Sequence, residues 1–264
     1  MNKYLKRNQK YWNEITPVHA ASEFYDAKGF EAGRNTLTSI ERDELGDVSG
    51  KSLLHLQCHF GMDTLSWARL GARVTGVDFS EKAITLAHSL STKIGIDATF
   101  ICSNIYDLPQ VLNKKFDIVF TSRGVLGWLP DLPKWGQIIA HFLKKGGTFY
   151  IYERHPLLNM FEYDKGKNKL ELKYSYFSLP EPAEWPGYDY ASKVKLSVSQ
   201  YEWFHPLSEI VNALLEAGLR IEFLHEFPVL FYREIPSMTK DKDGWWRLEG
   251  NKLPLSFSIK ANKL

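Results

Sequence analysis

The chain has 264 residues, 44% of them hydrophobic and 24% charged, with a net charge of +2. That length buries a sizeable core without covalent staples, the near-balance of charge lacks the clustered basic face of a nucleic-acid binder, and no apolar run reaches membrane-spanning length. Two cysteines, Cys58 and Cys102, exclude a disulfide framework and read as buried free thiols at strand ends in a reducing, cytoplasmic setting.

Residues 1–50 read as an amphipathic helical cap with Gly29, Gly33 and Gly46 as breaks. Its polar start lacks the apolar stretch of an export signal, so the protein is expected to be soluble and unexported. From Lys51 strands and helices alternate. Ser52–Leu56 is a short apolar strand, Asp63–Leu70 a helix closed by Gly71, and Arg73–Val77 a second strand. Ser80 is a good N-cap, with Glu81 in the first turn of a helix reaching about Leu90. Thr99–Cys102 and Phe116–Thr121 are further strands; a helix over Lys134–Leu143 and a strand over Thr148–Tyr152 follow. This alternation predicts a parallel sheet covered on both faces.

The pattern changes after Pro156. Leu170–Tyr176 and Lys193–Ser199 alternate with period two, so residues 157–205 read as an inserted hairpin or small sheet. Such an insert either closes over a small acceptor or pairs subunits through an exposed strand, and monomer and homodimer both stay open. A helix over Pro206–Ala217 and strands over Arg220–Glu226 and Leu255–Ala261 complete the chain, with a loop at Asp241–Trp246 between the strands. The 8 Trp, 13 Tyr and 16 Phe include Tyr11, Trp12, Trp128, Trp185, Tyr188, Trp203, Trp245 and Trp246, several of which are expected to wall one water-poor cleft.

Five motifs stand at the strand ends in order. They are His55-Leu-Gln57-Cys-His59-Phe-Gly61, Gly76-Val-Asp78-Phe-Ser80, Ser103-Asn104-Ile105 followed by Leu108-Pro109, Phe116-Asp-Ile-Val119, and Lys144-Lys-Gly-Gly147. Over about residues 51–155, and more loosely over 206–264, the chain resembles the class I S-adenosylmethionine-dependent methyltransferases. The phrases from His59 to Thr64, from Gly124 to Asp131 and from Tyr152 to Pro156 are similar to one bacterial subfamily of small-molecule methyltransferases. In that family the first strand ends in an acid followed by G-x-G-x-G; here only Gly61 of the glycines remains. The resemblance implies an α/β, Rossmann-like, doubly wound and mostly parallel seven-stranded sheet with an antiparallel last strand. The cofactor-binding core would comprise 51–156 and 206–264, carrying the 1–50 cap and the 157–205 insert. It also implies S-adenosyl-L-methionine as cofactor, S-adenosyl-L-homocysteine as product, and a small-molecule acceptor.

Each motif has a physical reading within that resemblance. Ligands of open α/β sheets sit beyond the carboxyl ends of the strands. Gly61 lets the cofactor approach the first turn, or serves helix–strand packing alone. The side chains of Gln57, Cys58 and His59 in that turn either point away from the cofactor or contact its methionine part, and His59 is equally readable as a structural histidine. Asp78 at a strand tip would accept both ribose hydroxyls. Phe79 would lie against the adenine, Asn104 would bond its amino group or simply form a turn, and Ile105 would supply a backbone donor. Asp63 would face the ammonium or complement its helix terminus. Ser122 sits where cofactor and acceptor meet, and Arg123 would bind an acceptor carboxylate or phosphate, or be structural. Tyr11 and Trp12 in the cap and Trp128 after the fourth strand would face the sulfonium, or pack as core. His155 is the first choice of general base, ahead of His19 and His205. Apart from the His55-x-x-x-His59 spacing, the eight histidines are accompanied by no clustered carboxylates at metal spacing, so no catalytic metal is expected. Two other functions fit parts of this pattern: an NAD-type oxidoreductase, which would need the missing G-x-G-x-x-G, and a cofactor-binding protein without catalysis, suggested by the lost glycines.

Overall fold

The computed structural model describes residues 1–187, 191 and 194–264. The chain opens with α1 (Lys3–Ala21), where the Asn2 side chain accepts from the Leu5 amide and caps the first turn. Then come α2 (Ala27–Glu31) and α3 (Ser39–Leu45), the latter started by a reciprocal capping box between Thr38 and Glu41. Gly33 and Gly46 fall at helix ends as expected, whereas Gly29 lies inside α2.

The sheet begins with β1 (Ser52–Leu56), buried at every position because helices cover both faces. It continues through α4 (Met62–Arg69), β2 (Arg73–Asp78), α5 (Glu81–Lys93, capped by Ser80), β3 (Thr99–Cys102), β4 (Phe116–Thr121), α6 (Leu132–Phe142) and β5 (Leu143–Arg154). Two small pairs follow: β6 (Phe161–Asp164) with β7 (Lys169–Leu172), and β8 (Ala183–Trp185) with β9 (Gln200–Glu202), all antiparallel. After α7 (Leu207–Glu216) come β10 (Leu219–Phe227), the short pair β11 (Thr239–Lys240) and β12 (Trp246–Arg247), and β13 (Ser256–Lys263).

The main sheet has seven strands in the order β10-β13-β5-β4-β1-β2-β3, and β13 alone runs antiparallel to its neighbours. This is the expected Rossmann-like architecture. The strand order reverses between β1 and β4, which opens a crevice at their carboxyl ends. One core face holds Trp135, Phe142, Phe149 and Leu214, between the sheet and helices α6 and α7. Those helices touch so closely that a Cβ on Gly136 would lie 2.2 Å from the Ala213 carbonyl oxygen. The other face is filled by Trp67, Phe120, Tyr150 and Tyr152.

Three expectations are corrected. Lys193 lies outside the described residues; the described part of that alternating stretch, 194–199, holds no strand, and the strand here is Gln200–Glu202. Leu196 and Val198 are apolar because they pack against Tyr11 and Ile15 of α1, and Ser197 is tied to Glu14 through its amide and its hydroxyl, each at 2.7 Å. The stretch 170–176 is extended only through Leu172. Cys58 is buried, but Cys102 is exposed, since it ends the edge strand β3.

Candidate active site

A cavity of about 1410 Å³ occupies the carboxyl-end crevice and runs on beneath α1 and the segment between β5 and α7. Of the residues singled out in the sequence, Tyr11, Trp12, Gln57, Cys58, His59, Gly61, Asp63, Asp78, Phe79, Asn104, Ile105, Ser122, Arg123 and Trp128 line it. His155 does not.

The turn between β1 and α4 keeps a glycine-type backbone without the glycines. Gln57 and His59 have φ of 59° and 50°, and Gly61 has φ of 81°. A side chain in this left-handed region costs roughly 1–2 kcal/mol, so two residues hold a strained turn that their contacts must offset. Gln57 donates to the Val125 carbonyl at 3.1 Å, which ties the turn to the loop after β4, while its Oε1 is buried with no partner among the described residues. The His59 ring meets His19 of α1, with Nδ1 and Nε2 3.1 Å apart, and its own Nδ1 is buried and unpartnered. Burial, then His19, push the His59 ring well below its ordinary value, so it is neutral. Gly61 serves packing: a Cβ there would stand 2.7 Å from the Phe100 ring. Cys58 packs beneath the turn, and burial pushes its thiol up, leaving it unreactive.

Asp78 ends β2 beside this turn. Its two oxygens accept from the His59 and Ser80 amides, each at 2.9 Å, which aims the carboxylate across the turn. A carboxylate has about four acceptor positions, so roughly half of its capacity remains. Burial pushes it up to about 6. Phe79 and Ile105 border the same end of the cavity. The Asn104 side chain accepts from the Tyr106 amide at 3.0 Å, so it forms a turn and keeps its amide donors.

Helix α1 roofs this end. Gln9 donates to the Phe79 carbonyl at 2.7 Å, and Ser80 Oγ lies 2.7 Å from Asn13 Oδ1. Tyr11 stacks on Trp128 at 5.8 Å between ring centres, and Trp12 sits edge-on to both Trp128 and His59 at 5.0 Å. The aromatic expectation therefore holds for Tyr11, Trp12, Trp128, Trp185, Trp203 and Trp246, which line the cavity; Trp245 does not, and Tyr188 lies outside the described residues.

Two polar networks support the crevice. His55, near the end of β1, bridges Thr64 Oγ1 at 2.7 Å and Ser122 Oγ at 3.0 Å; burial lowers it to about 4, so the bridge is neutral. Arg123 donates to Asp63 at 2.7 Å and lies 3.6 Å from Glu41. Burial works against both charges in the Arg123–Asp63 pair, yet the partners outweigh it: Arg123 is raised, and Asp63 is held below the usual carboxylate range. Both are thus committed to holding α3 and α4 on the sheet. Of the two readings open for each residue, this pairing favours the structural one over Arg123 gripping an acceptor anion and Asp63 facing the ammonium. His155 is corrected as a general base for a similar reason. Its Nδ1 accepts from the Leu157 amide at 3.1 Å and its Nε2 meets Glu226 at 2.8 Å, outside the cavity.

Sequence reasoning missed four contributors. Glu153 accepts from the amides of Gly124, Val125 and Leu126 at 2.6–3.3 Å and fixes the loop after β4. Arg154 is paired with Glu234 through Nε at 2.6 Å and through Nη2. Glu202 stands near both, and burial, partly opposed by Arg154, raises it to about 7. Glu153 and Arg154 were legible in the Glu153-Arg-His-Pro phrase, where the histidine drew the assignment instead.

Residues 54–151 match the family model described as a methyltransferase domain. That match spans less than half of the chain. The chain is 25% identical over 154 residues to a ubiquinone biosynthesis O-methyltransferase of Xanthomonas euvesicatoria pv. vesicatoria, covering 57% of this chain and 64% of that one. It thus spans just under two thirds of that relative. In fold the chain is similar to a putative S-adenosylmethionine dependent methyltransferase from Listeria monocytogenes, with a TM-score of 0.62, 18% identity and coverage of 84% of this chain and 95% of the other. A methyltransferase from Mesorhizobium loti is equally similar, with a TM-score of 0.62, 19% identity and coverage of 88% and 100%. Among the described residues, no helix is long and apolar enough to cross a membrane.

Proposed function

We propose that this protein transfers the methyl group of S-adenosylmethionine to a small-molecule acceptor. The observation that carries the reading is Asp78: a carboxylate at the tip of β2, braced by two amides, with acceptor capacity left over beside a left-handed turn. Ribose hydroxyls would use that capacity. The unpartnered Gln57 Oε1 and His59 Nδ1 border the same turn, and buried polar atoms without partners are rare unless a ligand or water meets them. The residues present therefore fit the cofactor. Asp78 would hold the ribose, Phe79 and Ile105 the adenine, and the turn from Gln57 to Gly61 the methionine part, under Tyr11 and Trp12. When bound, S-adenosylmethionine supplies an electrophilic methyl on a sulfonium.

The chain's own residues then align and dry the reacting groups, which is where such displacements gain most of their rate. Trp128 and Trp12 exclude water from the junction, and Glu153 fixes the loop carrying Trp128. The near-neutral net charge favours a small acceptor over nucleic acid. A cytoplasmic monomer or homodimer belongs to the same reading, with the 1–50 cap and the 157–205 insert closing over the 51–156 and 206–264 core. Calorimetry with S-adenosylhomocysteine tests it. The wild type should bind, and Asp78→Ala should bind at least tenfold more weakly while melting as a folded protein. Equal affinity in the two proteins would remove Asp78 from the ribose site.

A further inference from the structure

Beyond the loop after β4, the cavity continues to a second polar end built by β8 and β9. The register of this pair sets Trp185 opposite Gln200 and Ala183 opposite Glu202. Side chains alternate across a strand, so Trp185, Gln200 and Glu202 share the inward face and all three line the cavity. Tyr201, between them, turns outward and packs on Tyr4 at 4.9 Å. The strand is fixed from both sides: the Asn8 side chain bonds both the amide and the carbonyl of Tyr201, and the Trp203 amide donates to the Gly127 carbonyl at 2.8 Å.

The polar atoms on this face are not balanced. Trp185 Nε1 and Gln200 Oε1 are buried with no partner among the described residues. Glu202 accepts one bond, from Gln200 Nε2 to Oε1 at 3.2 Å. The neighbouring Glu234 is in a different state. Arg154 grips both of its oxygens, and the Tyr232 hydroxyl donates to it at 2.8 Å. Of the two carboxylates, Glu202 is the one left open to a ligand. Tyr174, Trp128 and Trp203 wall the same space.

We propose that this end binds an aromatic hydroxyl acceptor, with Glu202 as the general base that takes its proton and Trp185 Nε1 as the donor to its oxygen. The inference rests on the methyl-transfer reading and assigns its other half. A buried donor beside an open carboxylate calls for a group that both donates and accepts. A hydroxyl does both, whereas an ammonium has no lone pair for the indole N–H. In the step, the acceptor O–H bond breaks and its proton passes to the Glu202 carboxylate. The oxygen forms the new bond to the methyl carbon, and the electron pair of the broken carbon–sulfur bond stays on the now neutral sulfur. The carboxylate ends as a neutral acid, so charge balances.

The charged groups that act on Glu202 are Arg154 from the end of β5 and Glu234 from the segment after β10; Tyr232 and His205 line the same cavity, with His205 engaged by the Leu129 carbonyl and Glu209. Burial and Glu234 raise Glu202 while Arg154 lowers it, with the outcome at about 7, where a base serves best at neutral pH.

The test uses the full chain with 4-nitrocatechol as the probe and Glu202→Gln as the variant. S-adenosylhomocysteine affinity should be equal in wild type and variant, which isolates the acceptor end from the cofactor end. In the S-adenosylhomocysteine complex, the absorbance of the bound probe reports its protonation. A carboxylate against the phenol keeps it protonated, so the bound probe should ionise about one pH unit higher in the wild type than in the variant. With labelled S-adenosylmethionine, the variant should lose about 10²-fold or more in kcat and lose the rise in rate through about pH 7. Trp185→Phe should weaken probe binding several-fold and leave S-adenosylhomocysteine binding unchanged. S-adenosylhomocysteine binding with no binding or methylation of the probe overturns the aromatic-hydroxyl class. An unchanged pH profile in Glu202→Gln overturns its role as base. Failure of the wild type to bind S-adenosylhomocysteine removes the methyl-transfer reading, and this inference with it.

Discussion

His19 of α1 and His59 of the turn after β1 meet ring to ring, Nδ1 to Nε2 at 3.1 Å, and so join the roof of the cavity to its floor. One ring must donate and the other accept. Acid removes that arrangement, because two imidazolium rings present only donors.

The sign of the pH effect follows from burial. His59 is held well below the ordinary 6.5, and His55 sits near 4. Below pH 6.5 the unfolded chain takes up protons that the folded chain refuses, so stability falls as pH drops from 6.5 toward 4. His55 alone is worth roughly 3 kcal/mol over that span. Asp78, raised to about 6, works the other way between 3.8 and 6 and blunts the fall. In His59→Asn, whose side chain tolerates the left-handed backbone, denaturant titrations from pH 7 to pH 5 should show a shallower loss than in the wild type. An identical slope would mean that the histidine pair does not titrate with folding.

The turn itself is testable through position 57. Gln57→Ala and Gln57→Gly both lose the bond to Val125, so their difference isolates the backbone at φ 59°. The alanine variant should be less stable by about 1 kcal/mol, which is about 2–4 °C in melting temperature for a chain of this size. Equal melting would show that the loop relaxes out of the left-handed region.

Arg123 is expected to matter for stability first. Arg123→Met leaves Asp63 and Glu41 buried without their shared cation. Breaking such a pair costs about 3–5 kcal/mol, readable as a large drop in melting temperature. A variant that melts like the wild type yet binds probe poorly would return Arg123 to the role of acceptor clamp.

Much of the sheet was legible because its signals are local and redundant. Ser80 caps α5, Phe116–Thr121 is β4 to the residue, and the acid at 78 ends β2. The cofactor end followed from these, since strand tips and their turns are contiguous in sequence. The acceptor end was not legible, because it depends on which face a short strand turns inward. The alternation at 193–199 looks like a strand, but its apolar residues answer to α1, and the pairing strand starts at Gln200. Glu202 was hidden by that shift. The surroundings of Arg123 and His155 were hidden for a related reason: their positions at strand ends were right, but Asp63, Glu41 and Glu226, which engage them, come from distant parts of the chain.

Helix α1 spans nineteen residues and bonds with both ends of the cavity, to Phe79 and His59 on one side and to Tyr201 on the other. A lever fastened at two places cannot lift from one without straining the other. One helix therefore anchors both ends of the cavity, so loosening its contacts at either end loads those at the other.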